Sequence, residues 1–282
     1  MKKLCLNLAA AAVVFIVYLA GCTRNEPPVI DRFVTDPAAD TLVTAGDTVR
    51  IICEASDPDA DSLLYEFEAD AGTFAESQDT ASVLWIAPNH SGTFEIICTV
   101  SDGDSLHEVA DTLAIEVQNY FPMALQNTWS YKGSWLGQEI TLEISVLRKE
   151  EEEGKDNWRM YRFFEFATGE SLTDTFSYYS IVGDSIFFSS SLPQTFYLNF
   201  LMPLWIDKTW NAGDGITASV VEKDTVGTDG GIFFNCFKVN IQGIEEDFTY
   251  WVAPDVGIIV QTVKIPILGV VVDFELTDYT VD

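Results

Sequence analysis

Two short acidic loops hold the side chains of this sequence that are best suited to bind a metal ion. One loop, SDPDAD, contains Asp57, Asp59 and Asp61, and the other, SDGDS, contains Asp102 and Asp104. Calcium takes about six to eight oxygen ligands from carboxylates and carbonyls, so such loops can form a calcium site if the fold brings them together. Asp-Pro-Asp and Asp-Gly are also good turn formers, and this second interpretation stays open. The first loop lacks the glycine and final glutamate of an EF-hand loop, which excludes that motif.

The usual catalytic patterns do not occur in the sequence. Its two histidines, His90 and His107, precede the larger second half, and no nucleophile elbow, P-loop or dinucleotide-binding glycine pattern is present. A glycosidase needs only two carboxylates, but among 44 Asp and Glu residues no pair stands out. Cys236, in IFFNCFKV, has no histidine near it and is interpreted as a small buried hydrophobe. We therefore expect that the protein is not an enzyme.

Short β-strands must position these residues, because long amphipathic helical patterns are absent after residue 22. Runs rich in Val, Ile, Phe, Tyr and Thr alternate with Gly, Asp, Asn and Pro clusters about every ten residues, which is typical of sandwiches and barrels. Alternation predicts one inward face in each of two cysteine-containing strands. In DTVRIICEASD that face comprises Val49, Ile51, Cys53 and Ala55. In GTFEIICTVSDG it comprises Phe94, Ile96, Cys98 and Val100.

The N-terminal residues have the layout of a bacterial export signal. Two lysines are followed by an apolar stretch that ends in LAGC at Cys22. The LAGC sequence resembles the lipobox of bacterial lipoproteins, and this resemblance implies a signal peptide at 1–21, lipidation of Cys22, and a lipidated linker at 22–28. A simple transmembrane anchor is the alternative, but the apolar stretch is short for a span of about 20 residues. In the lipoproteins that the sequence resembles, an aspartate after the cysteine favours the inner membrane. Thr23 stands at that position here, so the resemblance implies the outer membrane, on its periplasmic face or at the cell surface.

Composition limits the partners of the chain. Without residues 1–21 it has 13 Lys and Arg against 44 Asp and Glu, a formal charge of −31. Such a surface repels nucleic acid, because the phosphate backbone cannot be neutralised by so few cations. A content of 48% apolar residues is nevertheless enough to build buried cores. We expect no nucleic-acid partner, and a membrane contact through the N-terminal lipid.

Residues 29–118 resemble the Ig-like, PKD-like and cadherin-like modules of bacterial surface proteins. The resemblance rests on SDPDAD, the Tyr-x-Phe strand, the Trp-x-Ala-Pro segment and the closing VSDG. It implies a β-sandwich in which Cys53 and Cys98 form a disulfide between the sheets, and the alternative is two buried free thiols. It also places the two acidic loops at the same end, so calcium is the one candidate cofactor, with turn formation of both loops as the alternative. Trp85 lies just before the second cysteine, so an antibody-type core is not implied.

Residues 119–282 predict a larger antiparallel β-sheet or barrel-like domain of unknown function. The opening YFPMALQNTWSYKG resembles the start of a domain found in uncharacterised bacterial surface lipoproteins, with Asn127 and Trp129 matching and Gln126 replacing a glycine. The segment LMPLWIDKTWNAG indicates an internal repeat of the same turn, and TYWVAPDVGIIVQ indicates a closing hairpin. The fold class is therefore all-β, with an N-terminal Ig-like sandwich and a larger barrel-like domain.

Three functions are consistent with these observations. The first is a non-catalytic, lipid-anchored envelope protein that serves binding, adhesion or structure at the outer surface, with a surface protein or a glycan as partner. The second is a periplasmic carrier that holds a hydrophobic molecule in the C-terminal domain, where the aromatic segment QTFYLNFLMPLW lines a pocket or forms plain core. The third is a glycan-active enzyme. We favour the first, because no site chemistry supports the third and core packing explains the aromatic segment.

Overall fold

The computed structural model describes residues 25–36, 42–75, 80–103, 107–152, 155–189, 197–243 and 246–281. These residues form strands joined by turns, with one short 3-10 turn, so the all-β prediction is confirmed. The described residues contain no helix long and apolar enough to span a membrane.

Eight strands form an N-terminal sandwich of two facing sheets. They are β1 (Val29–Asp36), β2 (Leu42–Thr44), β3 (Thr48–Ser56), β4 (Leu64–Ala69), β5 (Thr73–Phe74), β6 (Ser82–Ile86), β7 (Gly92–Ser101) and β8 (Glu108–Gln118). One sheet has the order β1-β3-β6-β5 and the other has the order β2-β8-β7-β4. Only the β2–β8 pair is parallel among these pairings. This arrangement brings the inward faces of β3 and β7 into one core.

The core of the sandwich follows the alternation of the sequence. Ile51, Cys53, Ile96 and Cys98 are fully buried and belong to the same hydrophobic cluster, so the two predicted inward faces are confirmed. Trp85 lies at the centre of this core, and its indole N–H donates to the Ala71 carbonyl oxygen at 3.0 Å. Gly72 lies against that ring with φ +79°, and a Cβ there would stand 2.6 Å from the indole nitrogen. The buried tryptophan therefore requires glycine at this position.

Twelve antiparallel strands form the C-terminal domain. They are β9 (Thr128–Trp135), β10 (Gln138–Glu152), β11 (Lys155–Phe166), β12 (Ser171–Val182), β13 (Ser185–Ser189), β14 (Tyr197–Leu201), β15 (Thr209–Gly213), β16 (Ile216–Thr228), β17 (Gly231–Gln242), β18 (Asp247–Ala253), β19 (Gly257–Ile265) and β20 (Val270–Thr280). Neighbours in sequence pair in space, and β20 pairs with β9. The two edge strands, β14 and β15, are joined by the Trp210 indole N–H, which donates to the Leu198 carbonyl oxygen at 3.2 Å. The sheet therefore curls into a near-closed barrel.

The barrel contains one loop structure twice, as the repeated sequence pattern predicts. Before β9, the Asn127 side-chain amide donates to the Pro122 carbonyl oxygen at 2.7 Å. Before β15, the Lys208 ammonium donates to the Pro203 carbonyl oxygen at 2.7 Å. The other equivalent pairs are Gln126 with Asp207, which share a positive φ, and Trp129 with Trp210, which are both buried. Each half of the barrel thus starts with a polar side chain that donates to a proline carbonyl oxygen, followed two residues later by a buried tryptophan.

The barrel has two ends, and the sandwich contacts one of them. The proximal end contains the loop 202–208 and the turns 183–184 and 254–256, which lie beside the sandwich. The distal end contains the turns 136–137, 167–170, 214–215 and 266–269. In the sandwich, Val29 pairs with Ser56, at the opposite end of β3 from the residues that contact the barrel. The chain therefore runs from one end of the molecule, through the joint, to the distal end of the barrel.

Candidate functional site

Two of the predicted site residues lie outside the described residues. Cys22, the predicted lipidation site, is one, and Asp104, a predicted calcium ligand, is the other.

Asp57 organises its own loop. Its Oδ1 accepts the backbone N–H groups of Asp59 at 2.8 Å and of Asp61 at 3.1 Å. This is the local side-chain-to-backbone bonding that makes aspartate a good turn former. The other oxygen, Oδ2, is buried and has no hydrogen-bond partner among the described residues. The SDPDAD loop therefore has the turn role that the sequence left open.

Asp59 and Asp102 bind the N-terminal segment of the chain. The Asp59 Oδ2 accepts the backbone N–H of Glu26 at 2.7 Å, and the Asp102 Oδ2 accepts the side-chain amide of Asn25 at 2.8 Å. The His107 Nδ1 lies 3.2 Å from the same Asp102 oxygen, and the Asp102 side chain is completely buried. The two acidic loops do lie at one end of the sandwich, where they fasten the segment that leads into β1.

A metal site is not formed by the described part of the chain. No group of three or more His, Cys, Asp or Glu side chains among these residues is placed to hold a metal ion. The carboxylates of Asp59 and Asp102 instead have donors from the chain itself. The calcium site, whose predicted ligands include Asp104, remains a prediction.

Cys53 and Cys98 face each other from opposite sheets at the centre of the sandwich. Both are fully buried, and the structure has them as free thiols rather than as the predicted disulfide. The two thiols hydrogen-bond each other, so the predicted pairing of positions is present without the covalent bond. The hydrogen bond to Cys53 raises the pKa of the Cys98 thiol, and burial raises it further. Neither thiol is accessible to a substrate, which excludes a nucleophilic role.

Cys236 is a structural residue. It is fully buried in β17, and its thiol donates to the Phe233 carbonyl oxygen at 3.3 Å. Burial raises the pKa of this thiol to about 11, so the reactive thiolate is scarce at neutral pH. This agrees with its interpretation as a small buried hydrophobe.

The joint between sandwich and barrel is built on Gln118, the last residue of β8. Its side-chain amide accepts the backbone N–H of Leu204 at 2.9 Å and donates to the Leu204 carbonyl oxygen at 3.2 Å. Both residues are almost completely buried. The Gln118 side chain therefore satisfies both the N–H and the C=O of Leu204 in the repeated loop of the barrel. These two hydrogen bonds tie the last strand of the sandwich to the barrel.

A second set of contacts continues the joint. The Asp255 Oδ1 accepts the backbone N–H of Ser91 at 2.8 Å, and the Asp255 backbone N–H donates to the Asn119 carbonyl oxygen at 2.7 Å. The Asn119 backbone N–H also donates to the Ser91 hydroxyl at 2.7 Å. The turn between β18 and β19 is thereby bonded to both the sandwich and the connecting segment, so the joint has contacts on more than one side.

Acidic groups meet at the third contact of the joint. The Thr44 hydroxyl donates to the Asp184 Oδ1 at 2.7 Å, and Asp47 lies close by with its Oδ2 accepting the Thr44 backbone N–H at 3.1 Å. Burial raises the pKa of Asp47, and the negative charge of Asp184 raises it further. Burial at the joint and the nearby charge of Asp184 therefore both disfavour the ionised form of Asp47.

The sequence predicts a domain boundary between residues 118 and 119 but does not identify Gln118 and Asn119 as the residues that join the domains. The signal available was only that two amides follow a strand at a domain boundary. The backbone group that the Gln118 amide bonds lies in a loop 86 residues further along the chain, whereas the Asn119 amide donates to the Asn89 carbonyl oxygen.

The interior of the barrel contains neutral phenols around one arginine. Tyr131, Tyr179 and Tyr250 are buried or nearly so, and burial raises the pKa of each phenol, that of Tyr179 to about 12. The Arg162 guanidinium lies among these groups and 5.7 Å from the centre of the Phe188 ring, and burial lowers its pKa. None of these groups is a nucleophile or a base at neutral pH, so these side chains serve packing and hydrogen bonding.

A cavity in the barrel interior is too small for a ligand. The cavity beside Trp129, Tyr131 and Tyr179 measures about 30 Å³, whereas small-molecule sites occupy about 300 to 1,000 Å³. A larger depression of about 400 Å³ lies on the surface at the β15–β16 hairpin. It is open to solvent and is lined mainly by short polar residues and glycine, namely Thr209, Trp210, Asn211, Gly215, Ile216 and Thr217. Neither space is a closed apolar pocket for a lipid.

Comparison with known proteins gives no family. No protein-family model matches the sequence, and no curated protein matches it. Among solved structures, a protein from Bacteroides fragilis described as exported and as having a YmcC-like fold is 15% identical, with a TM-score of 0.41, over 58% of this chain and 99% of that one. A protein from Parabacteroides distasonis described as a lipoprotein is 12% identical, with a TM-score of 0.40 and the same two coverages. Domains 5 and 6 of the S-layer protein SbsC are 15% identical, with a TM-score of 0.24, over 89% of this chain and 99% of that one. Likenesses this distant assign no activity.

Proposed function

We propose that this is a non-catalytic, lipid-anchored protein of the cell envelope, whose sandwich is a stalk that holds the barrel at a distance from the anchoring membrane for binding or adhesion. The observation that carries this proposal is the joint, where Gln118 bonds both backbone groups of Leu204 in a buried position. Domains with a small polar interface usually move relative to each other. A buried contact of this kind instead holds the sandwich and the barrel in one orientation, as a stalk requires.

The position of the N-terminal segment supports the stalk role. Asn25 and Glu26 are fastened to Asp102 and Asp59 at the end of the sandwich away from the joint. A lipid on Cys22 would therefore enter the membrane only a few residues from a rigid sandwich. The outer membrane is the favoured location within this proposal, since Thr23 follows the cysteine.

The two rival functions have less support from the described residues. A glycan-active enzyme needs a pair of carboxylates facing a substrate cleft, and neither the surface depression at the β15–β16 hairpin nor the interior cavity beside Trp129 is lined by an Asp or Glu. A carrier needs a closed apolar space of about 300 Å³ or more, and the interior cavity beside Trp129, Tyr131 and Tyr179 has a volume of about 30 Å³.

The first experiment tests anchoring. The full chain is expressed in a bacterial host in the presence of an alkyne analogue of palmitate, and the labelled protein is followed through fractionation of membranes. We expect the label and the membrane fraction to be lost in Cys22→Ser and kept in the matched variant Cys236→Ser. Labelling that persists in Cys22→Ser would contradict the anchor.

A second experiment separates binding from the two rivals. The protein purified in mild detergent is extracted with organic solvent for mass spectrometry and is incubated with a panel of polysaccharides. We expect neither a stoichiometric extracted molecule nor any released sugar. A stoichiometric lipid would instead support the carrier, and turnover abolished by neutralising one acidic pair would support the enzyme.

A further inference from the structure

The two most exposed aliphatic side chains of the described residues lie at the distal end of the barrel. Ile267 is 86% exposed, Leu136 is 73% exposed and Leu268 is 68% exposed, and Val271 beside them is 47% exposed. We call these four residues the apolar tip. They are neighbours, because Trp135 pairs with Val272 and so places Leu136 next to Val271. Ile267 and Leu268 lie in the 3-10 turn that leads into β20.

The apolar tip does nothing for the core of the protein. The turn Pro266–Leu268 contains no buried residue. Leu136 has a φ of +52° and precedes Gly137 at +79°, which is the backbone of a two-residue hairpin turn that favours Asn-Gly. A leucine in this left-handed conformation is strained, and its side chain gains no burial in return. Folding alone would be better served by asparagine, so another requirement explains the leucine.

Charges of both signs surround the apolar tip. Lys132 and Lys264 lie on the strands that lead into the two turns, and Glu139 and Asp273 lie on the strands that lead out of them. The side chains of Lys132 and Glu139 form an ion pair at 3.2 Å. The four tip residues themselves carry no charge, so their side chains can enter the apolar layer below the lipid headgroups.

We propose that the apolar tip inserts into the surface of a phospholipid bilayer. A stable protein interface buries roughly 800 Å² per partner, which four side chains on two turns do not supply. A bilayer needs no complementary shape and is bound by burying a few aliphatic side chains. Trp135, half-buried against Phe166 with 5.7 Å between ring centres, lies directly behind the tip at the depth where tryptophan is enriched in membrane proteins.

Zwitterionic lipid is the occupant that the charges favour. The body of the protein is strongly acidic and is repelled by anionic headgroups, whereas a zwitterionic bilayer has no net charge to repel it. The tip and the N-terminal segment lie at opposite ends of the molecule. If the lipid anchor of the proposed function is present, the protein therefore connects its own membrane to a second lipid surface, and this bridging rests on that proposal.

The test uses the chain from residue 23 onward, which has no lipid, and flotation with phosphatidylcholine vesicles. We expect the protein to float with the vesicles. Burying an aliphatic side chain is worth about tenfold or more in an equilibrium constant, so Leu136→Asn should weaken binding about tenfold and Ile267→Ser with Leu268→Ser about a hundredfold. Leu64→Ser is the matched control, because Leu64 is 61% exposed on the sandwich and should leave flotation unchanged.

Two further measurements keep the outcome clear. Leu136→Asn should keep or raise the melting temperature, because asparagine suits the turn, so weaker flotation cannot be assigned to misfolding. Brominated phosphatidylcholine should quench the fluorescence of the protein, and Trp135→Phe should remove most of that quenching.

Absence of flotation, or flotation unaffected by the Ile267 and Leu268 substitutions, would refute the proposal. A concentration-dependent dimer lost in those variants would equally refute it, in favour of a second copy. Because no lipid anchor is present here, this result is independent of the palmitate experiment.

Discussion

Removal of the Gln118 side chain is the sharpest test of the joint. Gln118→Ala removes the two hydrogen bonds to the Leu204 main chain at 2.9 and 3.2 Å. It leaves a buried N–H and a buried C=O without their partner, and each such group costs about 1 to 3 kcal/mol. Some water will enter the space left by the missing side chain, so we expect a loss of about 3 kcal/mol in the free energy of unfolding. Urea denaturation of the chain from residue 23, followed by tryptophan fluorescence, measures this quantity.

The variant Gln118→Glu makes the prediction more specific. Its carboxyl group can replace both hydrogen bonds only when protonated, because a carboxylate accepts from the Leu204 N–H but faces the Leu204 carbonyl oxygen without a hydrogen to donate. The pKa of this glutamate should therefore be raised in the folded protein. A raised carboxyl pKa means that stability falls as pH rises through it, so Gln118→Glu should be less stable at pH 8 than at pH 5, relative to the parent protein.

Gln242→Ala is the matched control, because Gln242 is an exposed glutamine at the distal end of β17. It should lie within about 0.5 kcal/mol of the parent protein. If Gln118→Ala were as stable as this control, and Gln118→Glu showed no added pH dependence, the amide would not hold the two domains together and the stalk role would lose its main support.

Three other predictions follow from buried ionisable groups and thiols. Burial lowers the pKa of Lys208 to about 8, so the unfolded chain binds that proton more tightly and stability should rise between pH 8 and 10; melting curves of Lys208→Met at pH 7.5 and 9.5 should lack this rise. Burial and Asp184 raise the pKa of Asp47, so stability should fall as pH rises from about 4 through that pKa. Asp47→Asn should then melt higher than the parent protein at pH 7, and a lower melting temperature there would contradict this account. Oxidation should link Cys53 to Cys98 with the loss of two hydrogens, detected by mass spectrometry, and closing a loop of 45 residues should add about 4 kcal/mol in denaturation that Cys53→Ala does not gain.

The strands of the sandwich were predictable because their information is local. Side chains alternate between the two faces of a strand, so the apolar set around Ile51 and the set around Ile96 each specify a buried face without reference to the rest of the chain. The repeated loop was predictable for the same reason, since proline, a polar residue five positions later and a tryptophan recur at equal spacing at Pro122 and Pro203.

The acidic loops show where local information is insufficient. Asp57, Asp59 and Asp102 have the residue types of a calcium site and also those of turns. The sequence could not indicate that Asn25 and Glu26 return to these carboxylates and donate hydrogen bonds to them. Such contacts join residues about 33 and 77 positions apart, and only the folded chain brings them together.

The sequence by itself determined the all-β class, the inward faces and the repeated loop, because each depends on residue spacing along a few neighbouring positions. Only the tertiary structure decided that Gln118 seals the joint on Leu204 and that Leu136, Ile267 and Leu268 form one exposed patch. Both depend on which turns meet in space, and this is set by the closure of twelve strands into one barrel rather than by any single segment.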